Sequence, residues 1–363
     1  MNNEIETIRN LSYYDLTFSG IGSVVGAGIF VLIGKLGKYS GKYAWLSMLL
    51  AGIIIFILSR TYIKLNKKYD SANPEMDMMD NIFGHNYAFV VMLAVIISGI
   101  LSCYITSNAF GEYFHRLSGI NPTIGTIVCV VACIIINIFG IKHTVHANTI
   151  AVLFGIIGFT MIIVMGFMNN KPKNVQEIPE IPPTIGNLLF SVYIIIFSYF
   201  GFETLIRLNK NAINPQRDIP MALNSTIIFV IVLYTLIAYV ATKTLTGNEL
   251  DKSTSPVVDI TSALTSSSFI INFVKIAAVV MTFNVCLMSM LNAQILIGTM
   301  VPNDGIIASA GLNKSFMYII LIGIIALLLY SINTGILVAT SFASFFRLIF
   351  YALVGVGGIF LTA

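Results

Sequence analysis

Four glycines in the apolar run GIGSVVGAGIF, Gly20, Gly22, Gly26 and Gly28, carry the spacing that most directly suggests chemistry. A phosphate-cradling dinucleotide loop needs its third glycine where Val25 stands, after a strand and before a helix, so that chemistry is excluded. The four-residue step from Gly22 to Gly26 fits close approach of a second membrane helix. It leaves Gly20 and Gly28 without a role. A break in a membrane helix accounts for more: Gly26 and Gly28 let the backbone leave helical geometry, freeing N–H groups that bind an anion at the start of the outer half-helix. Carbonyls just before the break accept from an ammonium group. Donors and acceptors so close together suit a zwitterion.

A second disrupted stretch, FSYFGFETLIRL from Phe197, has Gly201 at its centre and Glu203 beyond it. Glu203 is the single carboxylate expected deep within a span, where a charge is costly and marks function. Its first reading is a brace that caps freed N–H groups, with a coupling role second, and Arg207 one turn on is its expected partner. Arg347 is expected to snorkel to the interface rather than to form a gating salt bridge, and Lys275 is read similarly. His143 and His146 share a helix face but lack further ligands for a zinc site. Cys103, Cys129, Cys133 and Cys286 sit in apolar stretches and read as small packing residues, with no disulfide and no metal.

The elements that must position these residues are membrane helices. Of the 363 residues, 57% are hydrophobic and 10% charged, against about 25% charged in a soluble domain. Apolar runs place helices near Asp15 to Ile33, Ala44 to Ile63, Tyr87 to Phe114, Thr123 to Phe139 and Thr144 to Met168, then Ile185 to Leu208, Met221 to Thr242, Phe269 to Met300, Phe316 to Ser331 and Gly335 to Leu361. Between the fives runs NNKPKNVQEIPEIPPT, a polar, proline-rich connector from Asn169 to Thr184. Five spans per half insert the halves in opposite directions, and disruptions at matching positions of inverted halves point to a transporter binding site. Met1 to Leu11 reads as a short polar tail without a cleavable signal. The net charge of +4 lies in loops flanking the bilayer, which speaks against a nucleic-acid surface, and a slight basic excess places the amino terminus inside.

GIGSVVGAGIF, NAFGEYF in the third helix, FSYFGFET in the sixth and NPQRDIP from Asn214 to Pro220 together resemble the amino acid-polyamine-organocation transporter superfamily. The resemblance implies a core of ten helices that alternates between inward-open and outward-open forms. It implies that the backbone around Gly26, Ala27 and Gly28 holds a substrate carboxylate, that carbonyls near Val24, Phe197 and Phe200 take the amino group, and that Phe197 covers the side chain as an aromatic gate. Departures are Lys210 and Asn211 where many relatives carry paired glutamates, PNDG where Arg-Asp-Gly is usual, and Gly155 where some proton-coupled relatives place a lysine.

The expected fold is an all-α integral membrane protein with ten transmembrane helices in a five-plus-five inverted repeat, helices 1 and 6 being broken. It forms a single domain over 1–363, with repeats at about 11–168 and 185–363. The expected function is alternating-access transport of amino acids, neutral ones because a cationic side chain would want a second acidic partner beside the pocket and an acidic one an Arg or Lys deep in the membrane, and neither is expected there. A polyamine or organic-cation carrier and a non-transporting receptor are the alternatives. An enzyme is not expected, since neither H-E-x-x-H nor G-x-S-x-G occurs. No cofactor is expected. The expected partners are the amino acid, the lipid of a cell membrane and a co-transported or exchanged solute.

Overall fold

The computed structural model of the chain describes residues 9–26, 28–71, 73–139, 141–168, 184–300 and 314–360. Ala27, most of the connector after Met168 and the PNDG segment lie outside them. Among the described residues the chain is all-helical, with one isolated parallel bridge between Leu11 and Ala212.

Ser12 opens α1 (Tyr13–Val24) with a capping box, its hydroxyl accepting from the Asp15 N–H while the Asp15 carboxylate accepts from the Ser12 N–H. After the break comes a π-helical turn, Gly28–Leu32, then α2 (Ile33–Ser40). Gly41, at φ 48°, turns the chain into α3 (Ala44–Lys68). Then follow α4 (Pro74–Phe83), α5 (His85–Ser118), α6 (Pro122–Ile138) and α7 (Ile141–Met168). The second half holds α8 (Ile185–Ile195), a 3-10 turn (Ile196–Tyr199), α9 (Thr204–Arg207), α10 (Pro215–Thr244), α11 (Gly247–Lys252), α12 (Pro256–Leu264), α13 (Ser268–Met300), α14 (Lys314–Ser331) and α15 (Ile336–Phe360).

Among the described residues, seven segments are long and apolar enough to cross a membrane, and Pro122–Ile138 and Phe316–Ser331 are shorter apolar helices. The first segment, Tyr13–Lys68, has 56 residues, enough for two crossings at about 20 residues each. Outward faces stay apolar, as with Ile53, Ile54 and Ile57 on α3 or Ile150, Leu153 and Ile157 on α7. A helix that is apolar all round has lipid on its outer face. Polar side chains turn inward instead: Ser98, Thr106, Asn148, Asn284 and Arg207 are buried. At the centre α5 packs on α13, α3 on α10, and α1 on both α7 and α10.

Three short helices, α4, α11 and α12, were not marked by apolar runs. Their signals are local: Asn73 accepts from the Met76 N–H ahead of Pro74, Thr246 with Glu249 forms a capping box, and α12 opens on Pro256. The amino-terminal segment is fastened to the residues after α9, where the Asn10 and Leu11 N–H groups both donate to the Asn211 carbonyl at 2.9 Å.

Candidate functional site

Both broken helices interrupt at the same place in the molecule. In the first, α1 stops at Val24, Val25 takes an extended conformation (φ −77°, ψ 90°), and the Ile29 and Phe30 N–H groups then donate to the Gly26 carbonyl. In the second, Phe200 is extended (φ −66°, ψ 150°) and Gly201 sits at φ +109°, a conformation that glycine adopts freely. The breaks are seated on one another. A Cβ on Gly28 would lie 2.1 Å from the Ser198 side chain and 2.4 Å from its Cα, and a Cβ on Gly201 would lie 2.3 Å from the Ser23 carbonyl oxygen. Each glycine thus admits the backbone of the opposite break.

Hydroxyls and amides from the surrounding helices hold this arrangement. The Tyr234 hydroxyl on α10 shares its proton between the Val24 carbonyl at 2.9 Å and the Ser198 carbonyl at 3.1 Å, one from each break. Tyr113, in the NAFGEYF stretch of α5, donates to the Phe30 carbonyl at 2.6 Å. Asn148 on α7 donates to the Phe18 carbonyl at 2.9 Å. Asn284 on α13 donates to the Gly22 carbonyl at 3.2 Å and to Asn148 Oδ1 at 2.9 Å. A Cβ on Gly22 would lie 1.8 Å from Asn148 Oδ1, so that glycine makes room for the amide pair. Asn148 is therefore an α7 residue that hydrogen-bonds the first helix. Gly155 instead abuts Met281, whose sulfur stands 2.4 Å from where its Cβ would be.

A cavity of about 30 Å³ lies between the breaks. Of the residues named from sequence, Val24, Gly28, Phe197, Phe200, Gly201 and Glu203 line it, and Ser102, Thr106, Ser289 and Asn292 add polar groups from α5 and α13. Gly26 does not line the cavity; it faces Val285, whose Cγ2 would stand 2.3 Å from a Cβ there. Ala27 lies outside the described residues. Phe197 and Phe200 meet edge to face at 5.3 Å. The hydroxyls of Ser23, Ser198 and Thr204 are buried at the breaks and have no hydrogen-bond partner in the protein. Buried polar groups are normally satisfied, so orphans gathered at one place call for a ligand or water.

The charges differ from the sequence expectation in three respects. Arg347 does not snorkel: it is 3% exposed and its Nη1 pairs with Glu203 Oε1. Glu203 is not the lone interior carboxylate, because Glu75 on α4 is also fully buried. Arg207 does not pair with Glu203; its Nε and Nη2 grip Glu75 at 2.8 and 2.9 Å, while Nη1 donates to Asn292 Oδ1 at 2.5 Å. The i, i+4 rule presupposes a continuous helix, and α9 is a single turn that starts after Glu203. Burial pushes the Glu75 carboxyl above its ordinary range, against the pull of the Arg207 guanidinium. Glu203 braces the second break, its Oε2 accepting from the Gly201 N–H at 3.0 Å and from the Tyr351 hydroxyl at 3.2 Å.

Two other groups belong to this inventory. The thiols of Cys129, Cys133 and Cys286 lie within 4.8 Å of one another where α6 meets α13, a convergence that sequence spacing shows only for the first two. All four cysteines are free and buried. His143 is exposed and its Nδ1 lies 3.1 Å from the Phe139 carbonyl, at the entry to α7.

A family model described as amino acid permease matches residues 11–363. Among curated proteins the chain is 25% identical over 254 residues to the methylthioribose transporter of Bacillus subtilis, covering 64% of this chain and 55% of that one. It is 24% identical to the branched-chain amino acid permease BcaP of Bacillus subtilis (64% and 54%) and 25% identical to cationic amino acid transporter 1 of Arabidopsis thaliana (64% and 42%). The matches thus span about half the length of these relatives. Among solved structures, the nucleobase-cation-symport-1 family transporter Mhp1, closed with bromovinylhydantoin bound, aligns with a TM-score of 0.64 over 98% of this chain and 80% of its own, at 12% identity. A Na+-coupled sialic acid symporter in its substrate-bound outward-open state aligns with a TM-score of 0.63 over 97% and 78%, also at 12% identity. At that identity the likeness concerns the fold alone. With two interrupted helices facing one cavity and a family match running from Leu11 to the last residue, this multi-pass membrane protein belongs to the amino acid permease family.

Proposed function

We propose that the chain is a secondary transporter that moves neutral amino acids across a cell membrane by alternating access. The observation that carries this reading is the meeting of the two breaks at one cavity, lined by Val24 and Gly28 from the first and by Phe197, Phe200 and Gly201 from the second, with orphan hydroxyls at Ser23 and Thr204. A substrate carboxylate takes N–H groups at the start of the segment after the first break, and its ammonium takes carbonyls that end the preceding half-helices. Ten crossings in two inverted fives, one over about 11–168 and one over 185–363, set the breaks opposite each other. A space of about 30 Å³ holds a water or two, whereas small-molecule sites run to about 300–1,000 Å³. Helices must therefore part to admit substrate, which is the motion alternating access requires.

The test is uptake of a mixed amino acid pool by proteoliposomes, with binding measured on the same preparation. Flux of neutral amino acids supports the reading. Binding without flux identifies a receptor, and flux of simple amines identifies an organic-cation carrier; because several relatives are named for cationic amino acids, lysine and arginine belong in the pool. Because both ends of the zwitterion are held, an amino acid amide or decarboxylated analogue is expected to compete at least about tenfold more weakly than its parent amino acid.

Coupling is read from the amide pair. Asn148 and Asn284 tie α7 and α13 to the first helix with uncharged groups that do not titrate. They give no proton carrier at that contact, and with Gly155 where a lysine might stand the reading is uniport or exchange first, proton coupling through Glu203 second and sodium least. Uptake is expected to persist without a sodium gradient and to accelerate when substrate is preloaded on the opposite side; strict sodium dependence in proteoliposomes overturns it.

A further inference from the structure

The charged groups that line the cavity, among the described residues, are Glu203 and Arg347, and they are bound to each other. Both carboxylate oxygens of Glu203 already accept hydrogen bonds. Arg347 holds Oε1, and the Gly201 N–H and the Tyr351 hydroxyl hold Oε2. Arg347 is itself fixed from several sides, its Nε reaching Ser98 Oγ at 3.4 Å and its guanidinium lying 5.3 Å from the centroid of the Phe200 ring. That ring also packs edge to face on Phe197 and on Tyr351.

A buried ion pair contributes little net stability, because desolvation of both charges offsets their attraction, and an apolar pair of the same shape often does as well. Stability is thus a weak reason for a carboxylate and a guanidinium to be kept at the wall of a substrate cavity. Charge selection is a stronger one. A lone Glu203 there would attract any ligand with a cationic side chain. With Arg347 in place the pair is electrically neutral, the carboxylate already accepts three hydrogen bonds, and an incoming ammonium or guanidinium finds a guanidinium standing on Oε1. Arginine suits this role because its planar, permanently charged head both bonds a carboxylate and stacks on an aromatic face.

Resting on the reading that this cavity receives an amino acid, we infer that Arg347 is a specificity-determining counter-cation. It occupies on Glu203 the place that a substrate's cationic side chain would take, and so excludes basic amino acids in favour of neutral ones. Discrimination of this kind works by repulsion and occupancy rather than by added attraction.

The test measures binding of L-leucine, L-lysine and L-glutamate to the purified full chain, wild type and variant. Arg347→Met removes the charge and keeps a flexible chain of comparable length; the lysine-to-leucine affinity ratio is expected to rise at least about tenfold. Glu203→Gln leaves Arg347 uncompensated, and the glutamate-to-leucine ratio is expected to rise by at least about tenfold instead. Arg347→Lys keeps the charge and gains no lysine preference. A folded Arg347→Met protein whose lysine ratio moves less than about twofold overturns the inference, as does a wild-type protein that already prefers lysine. Where Arg347→Met does not fold, Glu203→Gln decides, an unmoved glutamate ratio overturning the inference. Wild-type protein that binds none of the three sinks the transporter reading itself, which separates that failure from this one.

Discussion

Gly28→Val removes amino acid binding, lowering affinity at least about 100-fold, while the chain still inserts in the membrane. The reason is contact rather than propensity. The added Cβ falls 2.1 Å from Ser198 Cβ and Oγ and 2.4 Å from its Cα, so one break must move off the other, and overpacking of this kind costs about 1–3 kcal/mol before any substrate contact is lost. Each 1.4 kcal/mol is about tenfold in affinity, and the bulk added beyond Cβ also fills the cavity that Gly28 lines. The identity of the clashing atoms makes the prediction sharper. In Gly28→Ala two of the three nearest atoms are side-chain atoms of Ser198, so a second change, Ser198→Gly, is expected to restore part of the binding. In Gly201→Ala the nearest atom is the Ser23 carbonyl oxygen at 2.3 Å, and φ +109° adds strain for any residue with a Cβ, so Ser23→Gly is expected to restore nothing. Substrate-dependent thermal shifts on purified variants read both outcomes. Normal binding by Gly28→Val would place the site elsewhere.

The sequence carries the helices well because membrane spans must satisfy their backbones internally and present apolar side chains over a fixed length. α3 and α7 were found to within a few residues of their ends for that reason, and the paired glycine breaks were visible because they interrupt that pattern. The cross-connections were less legible. Tyr234 lies in an apolar run where a tyrosine reads as a packing residue, and only the fold brings its hydroxyl to the Val24 and Ser198 carbonyls. Arg347 shows in sequence that a charge is costly at its depth, but its partner stands 144 residues away. Glu75 lies outside the apolar runs, and only the fold brings it to Arg207, 132 residues away in sequence. Thr282, Asn284 and Ser289 are polar residues of the eighth span, and sequence alone does not say which of them faces the first helix. The structure turns Thr282 back onto its own helix, bonding the Ala278 carbonyl at 2.8 Å, puts Ser289 at the cavity and Asn284 on Gly22.

The second ion pair sets a different test, since Glu75 and Arg207 bond each other without lining the cavity. Arg207 closes the second broken helix against α4 through Glu75 and against α13 through Asn292, which does line the cavity. Glu75→Ala leaves a guanidinium that is 1% exposed with one polar partner fewer, and breaking a buried pair from one side costs about 3–5 kcal/mol. That is a large share of a typical folding free energy of about 5–15 kcal/mol, so the variant is expected to unfold in detergent at a clearly lower temperature. Removing both charges in Glu75→Leu with Arg207→Met takes away the uncompensated ion, and most of the lost stability is expected to return. Transport is expected to behave otherwise. The double variant keeps the packing but loses the directed bonds that hold the second broken helix on Glu75 and Asn292, so it is expected to bind substrate and to exchange it slowly. A double variant whose melting temperature falls by the sum of the two single losses would show that the residues act separately. One that recovers stability and exchanges substrate at the wild-type rate would make the pair a packing feature with no part in closure.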